Sequence, residues 1–294
     1  MPAHTITTEL LRHARASVDL DADDRRTLAA LRTAATDFFR QDEAVKRTHG
    51  SIDFNYGFRP WGRQYSISPD RPDMNESFTY WADRPATVPD HDAHTVAPFL
   101  AALGAYWDVT ARITADALAG IAAHYGGHSE PLPFRDYSYL EVNWYHPSDR
   151  DLLQDRHEDG HLLTLAVADG PGLEIETAGK MEPVPGTDSQ LLAMPGSLLT
   201  AMTGGDIPPL YHHVRNHRLP RRLTVLFLAN PPLDRPVAPY ATRKGRPADI
   251  ARLARDNGAM FGLPPAPSSP GADAAGNPVT RDQDSDRSKT SRLV

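Results

Sequence analysis

From Tyr139 onward the chain breaks into short apolar runs separated by turns, at 139–145, 162–168, 173–177, 190–193, 197–202 and 223–229. Runs of this length between Gly-, Pro- and Asp-rich breaks read as β-strands. That succession of short strands fits a double-sheet jelly roll, the double-stranded β-helix of cupin-like barrels. Upstream the periodicity changes. Leu28, Leu31, Ala35, Phe38 and Phe39 recur at helical spacing within residues 21–46, behind an acidic first turn. Val96, Phe99, Leu103, Trp107, Ile113, Leu118 and Ile121 recur likewise within 94–124, a stretch that stops at a glycine pair. The fold class expected is mainly β with flanking helices.

The 294 residues contain no central Gly/Ser/Pro linker, so one integrated domain is expected. Residues 1–130 form its helical and substrate-wall region, and 131–263 its jelly-roll core with a C-terminal helix. Residues 264–294, rich in Pro, Ser, Asp and Gly, are expected to be a disordered tail. With 31 basic and 38 acidic residues the formal charge is −7, which lacks the basic excess that binding to a phosphate backbone requires, and nucleic acid is not an expected partner. The absence of cysteine excludes disulfides, thiolate metal sites and a cysteine nucleophile. No apolar run approaches the length of a membrane span and the N-terminus has no signal-like apolar core, so a cytoplasmic enzyme with no membrane partner is expected. Abundant Ala, Arg, Asp and Pro suggest a high-GC bacterial source. Oligomeric state is left open.

The chemistry concentrates in three segments: RHEDGHLLTL (156–165), LYHHVRN (210–216) and RRLTVLFLANP (221–231). His157, Asp159 and a second histidine 53 residues beyond Asp159 supply two imidazoles and one carboxylate. Such a set can cap one face of an octahedral Fe(II) and leave three positions open. His212 and His213 compete for the third place. Successive side chains of a strand point to opposite faces, so only one can face the metal, and His212, ten residues before Arg222, is favoured. The same text also spells H-E-x-x-H from His157 to His161, the signature of a zinc peptidase when it lies on a helix. Here QDRHEDGH has no apolar face, contains Gly160, and runs straight into a strand-like LLTLAVA, so the peptidase is a remote alternative.

These segments, taken with others, resemble the Fe(II)/2-oxoglutarate-dependent dioxygenases of the isopenicillin N synthase-like group. FRPWGRQYS and RPDMNESF resemble that family's G-Y-x-P-x-G-x-E and P-D-x-x-E-x-F stretch, and YLEVNWYHP its L-R-L-N-Y-Y-P strand. HEDGHLLTLAVADGPGLEI resembles H-x-D-x-x-x-L-T-L with G-L-x-V, and the text leading to YHHV resembles its strand, N-G turn and H-R-V. The likeness spans about 54 to 234. It implies Fe(II) held by His157, Asp159 and His212, with O2 and 2-oxoglutarate as cosubstrates. It further implies that Arg222, with Thr224 on the same strand face, grips the distal carboxylate of 2-oxoglutarate. Asn143 and Tyr145 match strand positions that the family turns toward the same cosubstrate. The expected reaction couples decarboxylation of 2-oxoglutarate to succinate and CO2 with hydroxylation, desaturation or cyclisation of a small molecule, in bacterial secondary metabolism.

The family's opening I-P-V-I-D-L strand and G-F-F-x-V-x-N-H-G segment are not recognisable, so one or two sheet strands are expected to be missing or replaced. The substrate wall is expected to draw on Arg59, Arg63, Tyr65 and Phe227, with Phe58 and Trp61 nearby. If strand alternation continues through FRPWGRQYS, Arg59 and Arg63 point the same way and suit a carboxylate or similar polar handle. Two other readings stand beside this one. An oxidase of the isopenicillin N synthase or aminocyclopropane carboxylate oxidase type would dispense with 2-oxoglutarate, and a cupin-like binding protein would dispense with catalysis.

Overall fold

The computed structural model describes residues 3–51, 56–82, 94, 96–126, 132–233, 235–241, 249–250, 252–254 and 256. The tail expected to be disordered lies outside them. Eleven strands are named: β1 Ala16–Asp19, β2 Gly57–Arg59, β3 Asn75–Tyr80, β4 Tyr139–Tyr145, β5 Leu152–His157, β6 Leu163–Ala168, β7 Leu173–Thr177, β8 Lys180–Pro183, β9 Gln190–Pro195, β10 His212–Arg215 and β11 Arg222–Ala229. They form a seven-stranded sheet in the order β1-β9-β6-β11-β4-β3-β2 facing a four-stranded sheet in the order β5-β10-β7-β8. Strand pairings within both sheets are antiparallel. This is the jelly roll that the rhythm of short runs implied.

Five α-helices are named among the described residues: α1 Ala3–His13, α2 Ala22–Phe39, α3 Glu43–Arg47, α4 Ala97–His124 and α5 Ser197–Met202. Asp21 caps α2, its carboxylate accepting from the backbone N–H groups of Asp23 and Asp24 at 2.9 Å each. The apolar stripes of α2 and α4 pack on one another and on the outer face of the large sheet. Alternation in the strands then sorts every side chain. Leu140, Val142 and Trp144 of β4 and Leu223, Val225 and Phe227 of β11 join the helices in one core, while Tyr139, Glu141, Asn143, Tyr145, Arg222 and Thr224 face the opposite way, into the barrel. The same rule sends Glu76 outward, where the nearly fully buried Lys46 of α3 donates to both its carboxylate oxygens at 2.6 and 2.7 Å and ties that helix to β3. Among the described residues no helix is long and apolar enough to cross a membrane.

Two expectations are corrected. Residues 197–202 are the helix α5, not a strand: Leu198, Leu199 and Met202 are buried at helical spacing, and a six-residue apolar run carries too little periodicity to tell the two apart. At the N-terminal edge of the sheet, where strands were expected to be missing or replaced, Ala16–Asp19 forms β1 and pairs with β9, Ala16 opposite Ala193 through Asp19 opposite Gln190. The alternation assumed through FRPWGRQYS stops at Arg59, where β2 ends; Gly62 then turns the chain at φ +75°. Arg59 is consequently buried and Arg63 exposed, and the two do not share a wall.

Candidate metal and carboxylate site

The structure brings His157, Asp159 and His212 together: one ligand atom from each lies within 4.8 Å of the others. His157 ends β5 and His212 begins β10, directly opposite one another in the register, and Asp159 follows in the turn after β5. His157 Nε2 is 3.6 Å and His212 Nε2 3.8 Å from Asp159 Oδ1. The supporting contacts leave those three atoms available. His157 Nδ1 meets the carbonyl of Asp155 at 2.7 Å and His212 Nδ1 that of Leu210 at 3.1 Å, so each Nδ1–H has a backbone acceptor and each Nε2 is turned toward Asp159, where a cation would bind. Thr164 donates its hydroxyl to Asp159 Oδ2 at 2.5 Å, which leaves Oδ1 to point at the histidines. Burial, the proximity of His157 and other local charges bring the His212 pKa to about 4, and the imidazole is therefore neutral near pH 7. For His157 burial acts downward, but hydrogen bonding and charge from Asp159 outweigh it and raise the pKa, so a bound cation would displace a proton there.

His213 turns to the other side of β10, where its Nε2 lies 2.7 Å from Glu174 Oε2 beside Arg215. The H-E-x-x-H spelling falls on a strand end and a turn rather than a helix, and the Nε2 of His161 meets the Tyr139 hydroxyl at 3.0 Å instead of joining the triad. The turn is held by close backbone packing. Ser197 N donates to Asp159 O at 2.9 Å and Leu198 N to His161 O at 3.2 Å. A Cβ on Gly196 would lie 2.2 Å from the His161 carbonyl oxygen, so only glycine allows this approach.

A cavity of about 290 Å³ runs from the triad to Arg222 and Thr224, walled by Tyr145, Gln154, Leu173, Leu192, Val214 and Leu226 among others. Arg222 is 2% exposed. Its Nε donates to the Pro171 carbonyl at 3.0 Å, its Nη1 to Thr224 Oγ1, and its Nη2 has no hydrogen-bond acceptor among the described residues. The nearby carboxylate of Asp169 is engaged elsewhere, by Arg221 and the backbone N–H of Leu223. A buried guanidinium without a carboxylate partner is costly in isolation, and burial lowers its pKa. The donor set at each end of the cavity thus fits a divalent cation and a carboxylate respectively.

Other candidates fall differently. Tyr145 lines the cavity and donates to Gln154 Oε1 at 3.2 Å. Asn143, on the same face, is taken up by neighbours: Asn75 Nδ2 donates to its Oδ1 at 2.7 Å, and its own Nδ2 donates to Glu141 Oε1 at 3.0 Å. Phe227 is corrected outright, since it sits in the outer core 4.9 Å from the Trp107 ring, and Leu226 faces the cavity in its place. Phe58 is likewise in that core, Tyr65 is half-buried, and Trp61 is exposed.

The sequence reading missed a buried polar layer made of Gln64, Asp73, Asn75, Ser77, Thr79, Glu141 and Gln154. Part of its signal was legible, because YLEVNWY and NESFTY place these residues at every second position. Asp73, held by Ser66 at 2.9 Å and Gln154 at 3.4 Å, has its pKa raised by burial to about 6. A carboxyl whose pKa is higher folded than unfolded binds its proton more tightly in the native state, so stability falls as pH rises between about 4 and 6, by up to roughly 3 kcal/mol. Asp73→Asn is expected to raise the melting temperature of the metal-free protein more at pH 7.5 than at pH 4.5. An equal change at both values would refute that origin.

No family model matches the chain, and no curated protein matches it by sequence. Solved structures do match. Neurospora crassa T7H in complex with alpha-KG and thymine superposes with a TM-score of 0.70 at 17% identity, over 88% of this chain and 91% of that one. A 2OG-Fe(II) oxygenase family protein from Caulobacter crescentus gives 0.68 at 18%, over 86% and 92%. The dioxygenase for auxin oxidation in rice gives 0.67 at 20%, over 89% and 90%. The fold is therefore that of the 2-oxoglutarate/Fe(II) oxygenases, the double-stranded β-helix class. The likeness extends along nearly the whole of each chain and is not particular to the isopenicillin N synthase-like branch.

Proposed function

We propose that the protein is a non-haem Fe(II)- and 2-oxoglutarate-dependent oxygenase that hydroxylates a small molecule. The observation that carries this reading is one cavity with His157, Asp159 and His212 at one end and the buried, carboxylate-free Arg222 at the other. Three protein ligands on one side of a cation leave room for a bidentate keto acid and for O2. When bound, Fe(II) supplies activation of O2 at the expense of 2-oxoglutarate, yielding succinate and CO2. The chain's residues do the rest. Arg222 and Thr224 hold the distal carboxylate, Tyr145 closes over the guanidinium with its ring 5.2 Å from Arg222 Cζ, and Leu173, Leu192 and Val214 keep the cosubstrate's methylene segment dry. Hydroxylation in bacterial secondary metabolism is the setting we favour, on the Ala-, Arg-, Asp- and Pro-rich composition. The small-molecule reading is supported by the thymine and auxin named for two structures of this fold.

A second reading, the 2-oxoglutarate-independent oxidase, would place a substrate carboxylate on Arg222. Both are tested by incubating the purified protein anaerobically with Fe(II) and 2-oxoglutarate and then admitting O2. Succinate formation that needs both Fe(II) and 2-oxoglutarate is the expected result, with product and succinate in equal amounts once the substrate is supplied. Product formed in full without 2-oxoglutarate would establish the oxidase.

A further inference from the structure

The cavity that holds the triad and Arg222 has a second lobe, built by other strands. His157, His212, Arg222 and Thr224 lie on β5, β10 and β11, whereas the cavity continues sideways between Ala166 and Leu192 on the large sheet and Leu173 and Val184 on the side of the small one. Register carries its floor across the large sheet: Leu226 stands opposite Ala166, Ala166 opposite Leu192, and Leu192 opposite Ser17 on the edge strand. β1 and β8 end their sheets on this side, and no pairing among the described residues joins them. The barrel is open there. Ser17, Pro185, Gly186 and Gln190 line the cavity at this rim and are exposed, while His157 and His212 at its inner end are buried. Two arginines fix the width of the opening. Arg15, just before β1, donates from Nη1 to Thr177 Oγ1 at 2.5 Å and lies 3.8 Å from Glu182 Oε2. Arg32 of α2 donates from Nη2 to the carbonyls of Ala168 at 2.9 Å and Thr187 at 3.4 Å.

The chemistry of this lobe is one-sided. Apart from the triad and Arg222, no charged side chain among the described residues lines the cavity. The polar groups of the rim are already engaged: Gln190 Nε2 donates to Asp19 Oδ1 at 2.7 Å, and the hydroxyls of Thr187 and Ser189 meet at 2.9 Å. An ion entering the lobe would give up water and meet no counter-charge, whereas an apolar group gains by leaving water. Protein interiors keep few voids larger than a water, because the lining of a void forfeits contacts. Ala166 and Ala168 stand where a larger apolar side chain would close the space, so the small residues leave room for an occupant that restores those contacts. We infer that the lateral lobe binds an uncharged, mainly apolar group, the body of the substrate, admitted between β1 and β8 and laid alongside the triad. The inference rests on the oxygenase reading for what happens at the inner end of the cavity; the lobe itself uses none of the clamp.

The test uses the Fe(II)- and 2-oxoglutarate-loaded protein under anaerobic conditions, titrated by calorimetry with three chains of equal length: 1-hexanol, hexanoate and hexylammonium. Hexanol is expected to bind at least about tenfold more tightly than either ion. Ala166→Leu fills the lobe from its floor, and Ser17→Trp obstructs the rim from an exposed position. Each is expected to weaken hexanol by roughly tenfold or more and to leave the 2-oxoglutarate affinity within about twofold of wild type. Melting temperatures establish that the variants are folded, and the surface variant carries the test alone if Ala166→Leu does not fold. Preference for either ion, absence of hexanol binding, or hexanol affinity unaltered in the folded variants would overturn the inference. Hexanol is also titrated into the protein without Fe(II) and 2-oxoglutarate, where binding is expected to persist. Titration of the Fe(II)-loaded wild type with 2-oxoglutarate alone is a separate arm. Failure there removes the oxygenase reading and leaves the lobe to be judged on the unloaded protein, whereas success there without hexanol binding removes only the lateral site.

Discussion

His212→Ala is expected to abolish stoichiometric Fe(II) binding, and His213→Ala to leave iron bound. The two residues are neighbours in sequence and both buried, so neither composition nor exposure separates them. Direction does. His212 faces His157 across the two strands, with ring centroids 4.3 Å apart, whereas His213 faces Glu174 and Arg215 on the outer side of the small sheet. Removing one of three protein ligands from a site that must leave positions open for cosubstrates leaves too few to retain the metal through purification. His213→Ala leaves Glu174 still paired with Arg215 and removes nothing from the metal site. Metal analysis of both variants after anaerobic reconstitution decides the matter; iron kept by His212→Ala and lost by His213→Ala would reverse the assignment.

Arg222→Ala should raise the 2-oxoglutarate concentration needed for half-maximal succinate release by roughly a hundredfold or more, since breaking a buried carboxylate pair costs roughly 3 to 5 kcal/mol. Fe(II) binding should persist, because the triad makes its contacts without Arg222. Arg222→Lys tests the geometry as well as the charge. An ammonium restores the positive charge but not the two parallel donors, so an affinity between those of alanine and arginine is expected. Equal 2-oxoglutarate requirements in wild type and Arg222→Ala would take the clamp away from this residue.

The neutral state of His212 and the raised pKa of His157 show how much of the site depends on surroundings that no motif records. H-x-D, a distant histidine and R-x-T are legible because metal and carboxylate chemistry restricts the residue types and the barrel restricts their spacing. The strand that carries His157 is not legible. Leu152–His157 is polar at most positions because it lines a polar interior, so hydrophobic alternation, the usual mark of a strand, is absent. The same inversion hid the buried layer around Glu141 and Asp73, whose polar side chains read as surface until two sheets close over them.

By itself the sequence determined the class of fold and the chemistry at its centre. Short runs between turns pointed to a double-sheet jelly roll, helical periodicity placed the two long helices, and the spacing of His157, Asp159, His212, Arg222 and Thr224 pointed to one metal and one carboxylate. Only the tertiary structure decided which face each residue served. Phe227 went to the helices and Leu226 to the cavity by strand parity; Arg59 was buried and Arg63 exposed because β2 ends between them; 197–202 became a helix where it met the carbonyls of the metal turn. The physical reason is common to all three. A side chain's environment depends on register and on what packs against it from distant parts of the chain, and neither is a property of local residue order.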